Sequence, residues 1–368
     1  MLPTTLYSII IFFLSIYTYA LIDPNITLFN NKLWESFRNF MVDFGYNNRP
    51  NSWIVFFILI TLLFVFHFIF IRKKDIKNYD PMKLGLIIGV VMLFSYSFLS
   101  HDLLSYMFYG KILTYYHNNP YFHMPAEYYL DPWLRFTQWT GTRYPYGPTF
   151  LLISAIPSFL GFGKFLLTFF LFKAVYIFFY LLSIYLLEKL NKHWAIFYAT
   201  NPLIIIEGLA NNHNDFIALS IVILGFYFLK KNKNIIARIT LIFSAGIKYM
   251  TFPLIFLPVK NRKHIIIPLI GTAVVLGYLS FFSEIQPWYF LIIFAFIPYY
   301  EKIIYDLNIF FFGLIMSYYP YVRFGGWDKV IGWTTDQKVI AKHQIILTFF
   351  ALNIIFLLCK NLLKKKVF

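Results

Sequence analysis

One carboxylate opens the most informative stretch of this sequence. Ser100-His101-Asp102 follows a long apolar run, and Asp102, Tyr106, Tyr109 and Gly110 then recur at i, i+4, i+7 and i+8. That spacing places the four residues on one face of a helix. A carboxylate at the start of a helix and beside an apolar run has two uses. It can cap the helix, or it can face a cavity as a general base whose pKa is tuned by partial burial. Asn119-Pro120-Tyr121 then stops the helix. Trp133, Trp139 and several tyrosines follow. Flat rings of this kind stack on sugars, and they also form ordinary interfacial belts. The stretch ends in Arg143-Tyr144-Pro145-Tyr146-Gly147-Pro148, a rigid turn into the next apolar run. Arg143 either snorkels at a membrane interface or offers its fixed fork to a phosphate.

Four later groups carry further candidates. Glu207-Gly208-Leu209-Ala210-Asn211-Asn212-His213-Asn214-Asp215 sets polar side chains side by side at a junction between two apolar segments. Asn214 or Asp215 could cap the second segment, while His213 with Asp215 could bind sugar hydroxyls or a phosphate. The ligand count is thin for a metal, and none is expected. Gly246-Ile247-Lys248-Tyr249-Met250 sets an ammonium near the end of an apolar run. A lysine there either snorkels or does chemistry, and a compact positive charge suits phosphate. Gln286-Pro287-Trp288-Tyr289 opens another apolar run at its aqueous boundary, and Arg323-Phe324-Gly325-Gly326-Trp327-Asp328 occupies a late polar stretch. The sequence has no Walker A loop, no dinucleotide fingerprint and no Asp-x-Asp pair, so a nucleotide-sugar donor used in the cytoplasm is not expected.

The elements that must position these residues are membrane helices. Of the 368 residues 60% are apolar and only 13% charged, about half the charged share of a soluble domain. Apolar runs of spanning length recur along the whole chain with no long soluble segment between them. The chain therefore reads as all-α: one integral membrane domain over residues 1–368, a polytopic helical bundle of roughly 11–13 spans. The net charge of +16 sits in short clusters between apolar runs, so it marks cytoplasmic loops rather than a nucleic-acid surface. These clusters are Arg72-Lys73-Lys74 with Lys77, Lys189 with Lys192, Lys230-Lys231 with Lys233, Lys260-Arg262-Lys263, and Lys364-Lys365-Lys366. Helices near 5–22, 52–71 and 83–100 then alternate across the bilayer, which leaves residues 101–148 as the first large outer loop, with juxtamembrane helices. Residues 149–162, interrupted by Pro157, read as an interfacial or re-entrant helix. Residues 207–215, 284–289 and 321–338 fall on the same outer side, and Lys248 falls near it. Residues 1–21 read as a first span, with a cleaved signal peptide as the alternative. The single cysteine, Cys359, excludes an intramolecular disulfide.

The order Asp102, Tyr106, Gly110, Asn119-Pro120-Tyr121, Tyr146-Gly147-Pro148 resembles the first outer loop of GT-C glycosyltransferases. It is most similar to the polyprenol-phosphate-mannose-dependent mannosyltransferases. Asn201-Pro202, His213-Asn214-Asp215, Ile247-Lys248-Tyr249 and Pro287-Trp288-Tyr289 keep the family's order, so the likeness runs from about residue 95 to residue 300. It implies an inverting transferase that moves a hexose, mannose in the family's pattern, from a polyprenyl- or dolichyl-phosphate carrier. The acceptor would be a glycan or glycolipid on the outer side of the plasma membrane. It implies Asp102 as catalytic base and no cofactor. Substrate contacts would come from Tyr106, Tyr109, Asn119, Tyr121, Arg143, Tyr146, His213, Asp215, Lys248, Trp288 and Tyr289. The implied partners are the lipid-linked donor, the acceptor and the bilayer, with no nucleic acid. No second acidic residue follows Asp102, so the base role rests on one side chain. A flippase of lipid-linked sugars, or a non-catalytic subunit of a glycan-assembly complex, would carry the same helices. The gathering of polar residues on one side disfavours the first, and Asp102 with its cationic partners disfavours the second.

Overall fold

A computed structural model describes residues 2–72, 78–258, 262–325 and 333–365. Residues 73–77, 259–261, 326–332 and 366–368 lie outside it. Parts of three basic clusters used above for topology, and Gly326-Trp327-Asp328, therefore fall outside the described residues. The described chain is helical throughout, as the composition predicted.

The chain opens with α1 (Leu2–Tyr17), α2 (Lys32–Val42), α3 (Arg49–Ile71) and α4 (Pro81–Leu93). Next come α5 (Asp102–Thr114), α6 (Pro148–Leu160), α7 (Phe165–Leu190), α8 (Lys192–Thr200), α9 (Asn214–Lys230) and α10 (Asn234–Ala245). The last third holds α11 (Ile266–Phe282), α12 (Ile297–Tyr305), α13 (Asn308–Met316), α14 (Tyr319–Phe324) and α15 (Thr335–Lys365). Among the described residues five helical segments are long and apolar enough to cross a membrane unbroken, and one bent pair, Ile204–Ala210 with Asn214–Lys230, has the composition of a broken span or a re-entrant loop. The protein is thus a multi-pass membrane protein. Apolar runs that the sequence suggested as further spans form short helices instead, among them Pro81–Leu93 and Asn234–Ala245, while the run at 149–162, expected to be interfacial or re-entrant, forms the short helix Pro148–Leu160. At 1.5 Å per residue such helices fall short of the roughly 30 Å hydrocarbon layer.

α7 is the hub, packing against α4, α6, α8 and α9. Its inward stripe, Thr168, Phe169, Phe172, Lys173, Tyr176, Tyr180, Ser183 and Leu187, recurs at three- and four-residue spacing. Phe178 and Tyr185 point away, exposed to lipid. α9 is buried on every side from Asn214 to Ile223, the pattern of a helix at the centre of the bundle.

The feature that positions the site is a break. The π-helical stretch Ile204–Ala210 meets α9 at 110°, and residues 211–213 turn the corner with Asn212 at a positive φ of 59°, a conformation asparagine tolerates. Helix ends in an apolar interior leave carbonyls that need donors. Lys173 supplies them from the middle of α7. Its buried Nζ donates to Leu209 O at 2.6 Å, Ala210 O at 3.4 Å, Asn212 Oδ1 at 3.0 Å and Ser95 Oγ at 2.8 Å. Asn211 joins the same corner to the chain entering α5. Its carbonyl accepts from Ser97 Oγ at 2.9 Å and its Oδ1 from Leu99 N at 3.2 Å.

A second junction brings two distant sequence motifs together. Gly147 N donates to Ile247 O at 3.1 Å, and Thr149 N to Gly246 O at 3.0 Å. A Cβ on Gly147 would sit 2.0 Å from Gly246 O, so only glycine lets the Tyr146-Gly147-Pro148 turn lie against the backbone beside Lys248.

Replacing Lys173 with methionine keeps the stem and strands the carbonyls of Leu209 and Ala210. Each buried polar group left unpaired costs about 1–3 kcal/mol. Lys173→Met is expected to lower the midpoint of thermal unfolding in detergent by several degrees, read by tryptophan fluorescence. An unchanged midpoint would mean that water or another donor already serves the break.

Candidate functional site

Four parts of the chain converge on Asp102. The first is the start of α5, where Asp102 sits in the first turn and its negative charge complements the helix N-terminus. The second is the corner at 211–213, which sets His213 immediately before α9. The third is the turn at Gly246-Ile247-Lys248, and the fourth is the stretch around Gln286-Pro287-Trp288-Tyr289.

The Asp102 carboxylate caps nothing; no side-chain cap bond forms at α5. Its Oδ2 instead accepts from Tyr106 OH at 3.2 Å, one turn along the same face, and from His213 Nδ1 at 3.1 Å. The His213 ring is buried completely, while the Asp102 side chain keeps about a fifth of its surface exposed. The other ring nitrogen, Nε2, lies 3.3 Å from Glu207 Oε2, an ion-pair contact without hydrogen-bond alignment. Trp288 stacks flat on the imidazole, with ring centroids 3.8 Å apart at 16°. Asp215 pairs with Lys248 Nζ at 2.7 Å, and that ammonium also lies over the Tyr289 ring, 5.0 Å from its centroid.

Burial would push the Asp102 carboxyl up. The hydrogen bond and charge of His213, the charge of Lys248 and the Tyr106 hydroxyl outweigh it, and hold Asp102 below the ordinary carboxylate range. Asp102 is therefore an anion at neutral pH. Lys248 is pushed the other way: burial lowers it, but Asp215, Tyr289 and Asp102 raise it further, so it stays a cation.

The exposed edge of Asp102 opens on a cavity of about 430 Å³. Trp288, Tyr289, Tyr318 and Lys342 stand on its wall, with Arg49 and Trp139 also at the lining. Lys342, almost fully buried in α15, is held by Glu284 Oε1 at 2.9 Å and by Gln286 Oε1. One cavity thus combines an anionic carboxylate, flat aromatic faces, the buried ammonium of Lys342 and the half-buried Arg49. That set of groups can bind a sugar and a phosphate and take up a proton.

Among the residues that the sequence singled out, Asp102, Tyr106, His213, Asp215, Lys248, Trp288 and Tyr289 come together here. Tyr146 supports them from behind, its ring edge-on to Tyr106 at 5.2 Å. Tyr109 and Tyr121 are turned into the loop's own packing. Tyr109 OH donates to Thr142 O at 2.9 Å, and Tyr121 OH to Tyr146 O at 2.9 Å. Asn119 accepts from Tyr121 N at 3.0 Å in a local turn. Arg143 is exposed on the loop and is not among the residues lining the cavity. Arg323 lies over Phe324.

Sequence reasoning passed over Lys342, Glu284, Tyr318 and the role of Glu207. Lys342 gave little signal, because it stands with Lys338, His343 and Gln344 at the polar start of the last apolar run and reads as one more boundary cation. Tyr318 and Glu284 had none, because a tyrosine or glutamate at the end of an apolar run looks like any other boundary residue.

Residues 28–260 match the family model described as alpha-(1->6)-mannopyranosyltransferase, N-terminal domain. No curated protein and no solved structure matches the chain.

The electrostatics predict a pH effect with a definite sign. A base held below the usual carboxylate range loses activity only as pH falls through that depressed value. His213→Asn removes the largest stabilising partner, so Asp102 titrates higher and the acid limb of the pH–rate profile moves up. A lost opposite charge at this distance is worth about 1–3 pH units. An unmoved acid limb would show that Asp102 and His213 do not communicate.

Proposed function

This chain belongs to the alpha-(1->6)-mannopyranosyltransferase family, and from that premise we propose that it transfers mannose from a polyprenyl- or dolichyl-phosphate carrier. The transfer inverts the anomeric carbon and delivers the sugar to a glycan or glycolipid acceptor. The observation that carries the proposal is the Asp102 carboxylate, fixed by His213 and Tyr106 and open to a cavity that also holds Lys342 and the faces of Trp288 and Tyr289.

Asp102 takes the proton of the acceptor hydroxyl. The acceptor oxygen forms its bond to the anomeric carbon from the face opposite the phosphate. The bond between that carbon and the phosphate oxygen breaks, and its electron pair leaves with the lipid phosphate. Lys342, on the cavity wall, and Lys248, whose charge reaches Asp102, offset the charge that develops on the leaving group, a use of fixed charge that speeds many enzymes. The site holds the partners together, which removes an entropic part of the barrier. The exposed apolar faces of the spanning helices supply a path for the polyprenyl tail.

We place the cavity on the outer side of the plasma membrane. The support is the positive-inside pattern: Lys230-Lys231 with Lys233 lies at the opposite end of α9 from Asp215, and Lys189 with Lys192 lies where α7 meets α8. In the same reading, residues 101–148 form the outer loop of a single integral membrane domain, and the 13-residue α6 is a re-entrant or interfacial helix.

Membranes containing the protein, given polyprenyl-phosphate mannose and a lipid or glycan acceptor, are expected to transfer mannose, and Asp102→Asn to reduce the rate by at least a hundredfold at unchanged expression. General-base groups contribute about 10²–10⁴-fold. Transfer that survives in Asp102→Asn would remove Asp102 as the base. Transfer from a nucleotide sugar but not from the lipid-linked donor would overturn the donor assignment.

A further inference from the structure

We propose that Glu207 is a positioning residue that keeps the His213 ring doubly protonated, and so keeps an N–H directed at Asp102. The proposal rests on the reading of Asp102 as the base.

Glu207 is completely buried, and so is His213. A buried carboxylate without a positive partner is costly, and the ion pair Glu207 makes is with His213 Nε2 at 3.3 Å. On the far side of the ring, Nδ1 donates to Asp102 at 3.1 Å. The imidazole is thus set between two carboxylates. With a single ring proton the two would compete for it, and whichever lost would face a nitrogen lone pair. The doubly protonated ring meets both.

The ring has little freedom to answer in another way. Trp288 stacks on its face at 3.8 Å, so rotation about the ring axis is blocked by the indole. Glu207 is fixed as well: its Oε2 accepts from Asn211 Nδ2 at 3.1 Å and from Tyr318 OH at 3.2 Å. Tyr318 stands on the cavity wall beside Asp102. Asn211 Oδ1 in turn receives Leu99 N from the chain entering α5. Glu207 therefore holds the ring's charge from behind and shares a fixed frame with the base in front.

Every charged group packed around the ring enters this balance. α5 presents Asp102 and the Tyr106 hydroxyl. The corner and α9 present Glu207 and Asp215, the latter already paired with Lys248. Tyr318 reaches Glu207 from the segment before α14, and Lys342 senses its charge from α15. Trp288 adds an uncharged face.

The test uses the full-length protein in nanodiscs with ¹⁵N-histidine labelling, the His213 signals being assigned by their loss in His213→Asn. In Glu207→Gln the His213 ring is expected to release its proton at least one pH unit lower than in wild type. Glu207→Asp, which keeps the charge, should stay closer to wild type. Mannose transfer gives the second reading. At pH 8, kcat of Glu207→Gln should fall about tenfold while donor binding changes by less than twofold. The defect should shrink as pH is lowered and the ring regains its proton. In a His213→Asn background, Glu207→Gln should add no further loss. An unmoved His213 titration, or a kcat defect of constant size across pH, would overturn the proposal. Survival of transfer in Asp102→Asn would instead overturn the reading of Asp102 as base, a failure separable from the first because the ring titration is read without turnover.

Discussion

A helix broken inside a membrane must find hydrogen-bond partners for the backbone it leaves bare, and this requirement organises the molecule. The stretch Ile204–Ala210 and α9 meet at 110°, and the carbonyls at the corner have no water to turn to. Lys173 satisfies them from α7, which explains an otherwise expensive ammonium in mid-span. Asn211 spends its side chain and its carbonyl on the same corner. Because the corner is held, His213 and Asp215 emerge from it at fixed places, and because Asn211 also grips the chain before α5, Asp102 is delivered to meet them. The geometry of the candidate site is a consequence of how the break is satisfied.

Charge pairing gives the site its second constraint. Four carboxylates, Asp102, Glu207, Asp215 and Glu284, lie in and around the site. Each has a cationic neighbour: His213 serves the first two, Lys248 the third and Lys342 the fourth. Removing one member would leave its partner charged and uncompensated, which is far more damaging than the net value of the pair. The arrangement also gives the cavity both signs of charge. Asp102 and Lys342 both line it, with the aromatic faces of Trp288 and Tyr289, and Lys248 stands behind Tyr289, paired with Asp215.

Much of this was legible in the sequence, for identifiable reasons. Apolar runs and sparse charge gave the helical membrane fold. The i, i+4 relation of Asp102 and Tyr106 gave a shared face, and the structure puts their hydroxyl and carboxylate in contact. Lys248 was visible because charge is rare in such runs. The number of unbroken spans was not legible, since hydropathy cannot tell a full span from a short helix such as α4 or α10. Arg143 and Lys342 show the other limit. Both are cations at the border of an apolar run, yet one is exposed on a loop and the other is buried at the cavity. Only tertiary packing separates them. The Gly147–Gly246 contact was equally hidden, because nothing local says that two glycines a hundred residues apart must touch.

The central claim is that the cavity beside Asp102 holds a lipid-phosphate mannose donor with its reactive carbon turned toward that carboxylate. The most direct measurement is a cryo-electron microscopy structure in nanodiscs with a non-hydrolysable polyprenyl phosphonate analogue of mannose. The account predicts the sugar in the cavity against Trp288, the phosphonate between Lys248 and Lys342, and Asp102 on the face of the anomeric carbon away from the phosphonate. A donor analogue bound elsewhere, or one whose phosphonate lies on the Asp102 side of that carbon, would contradict it.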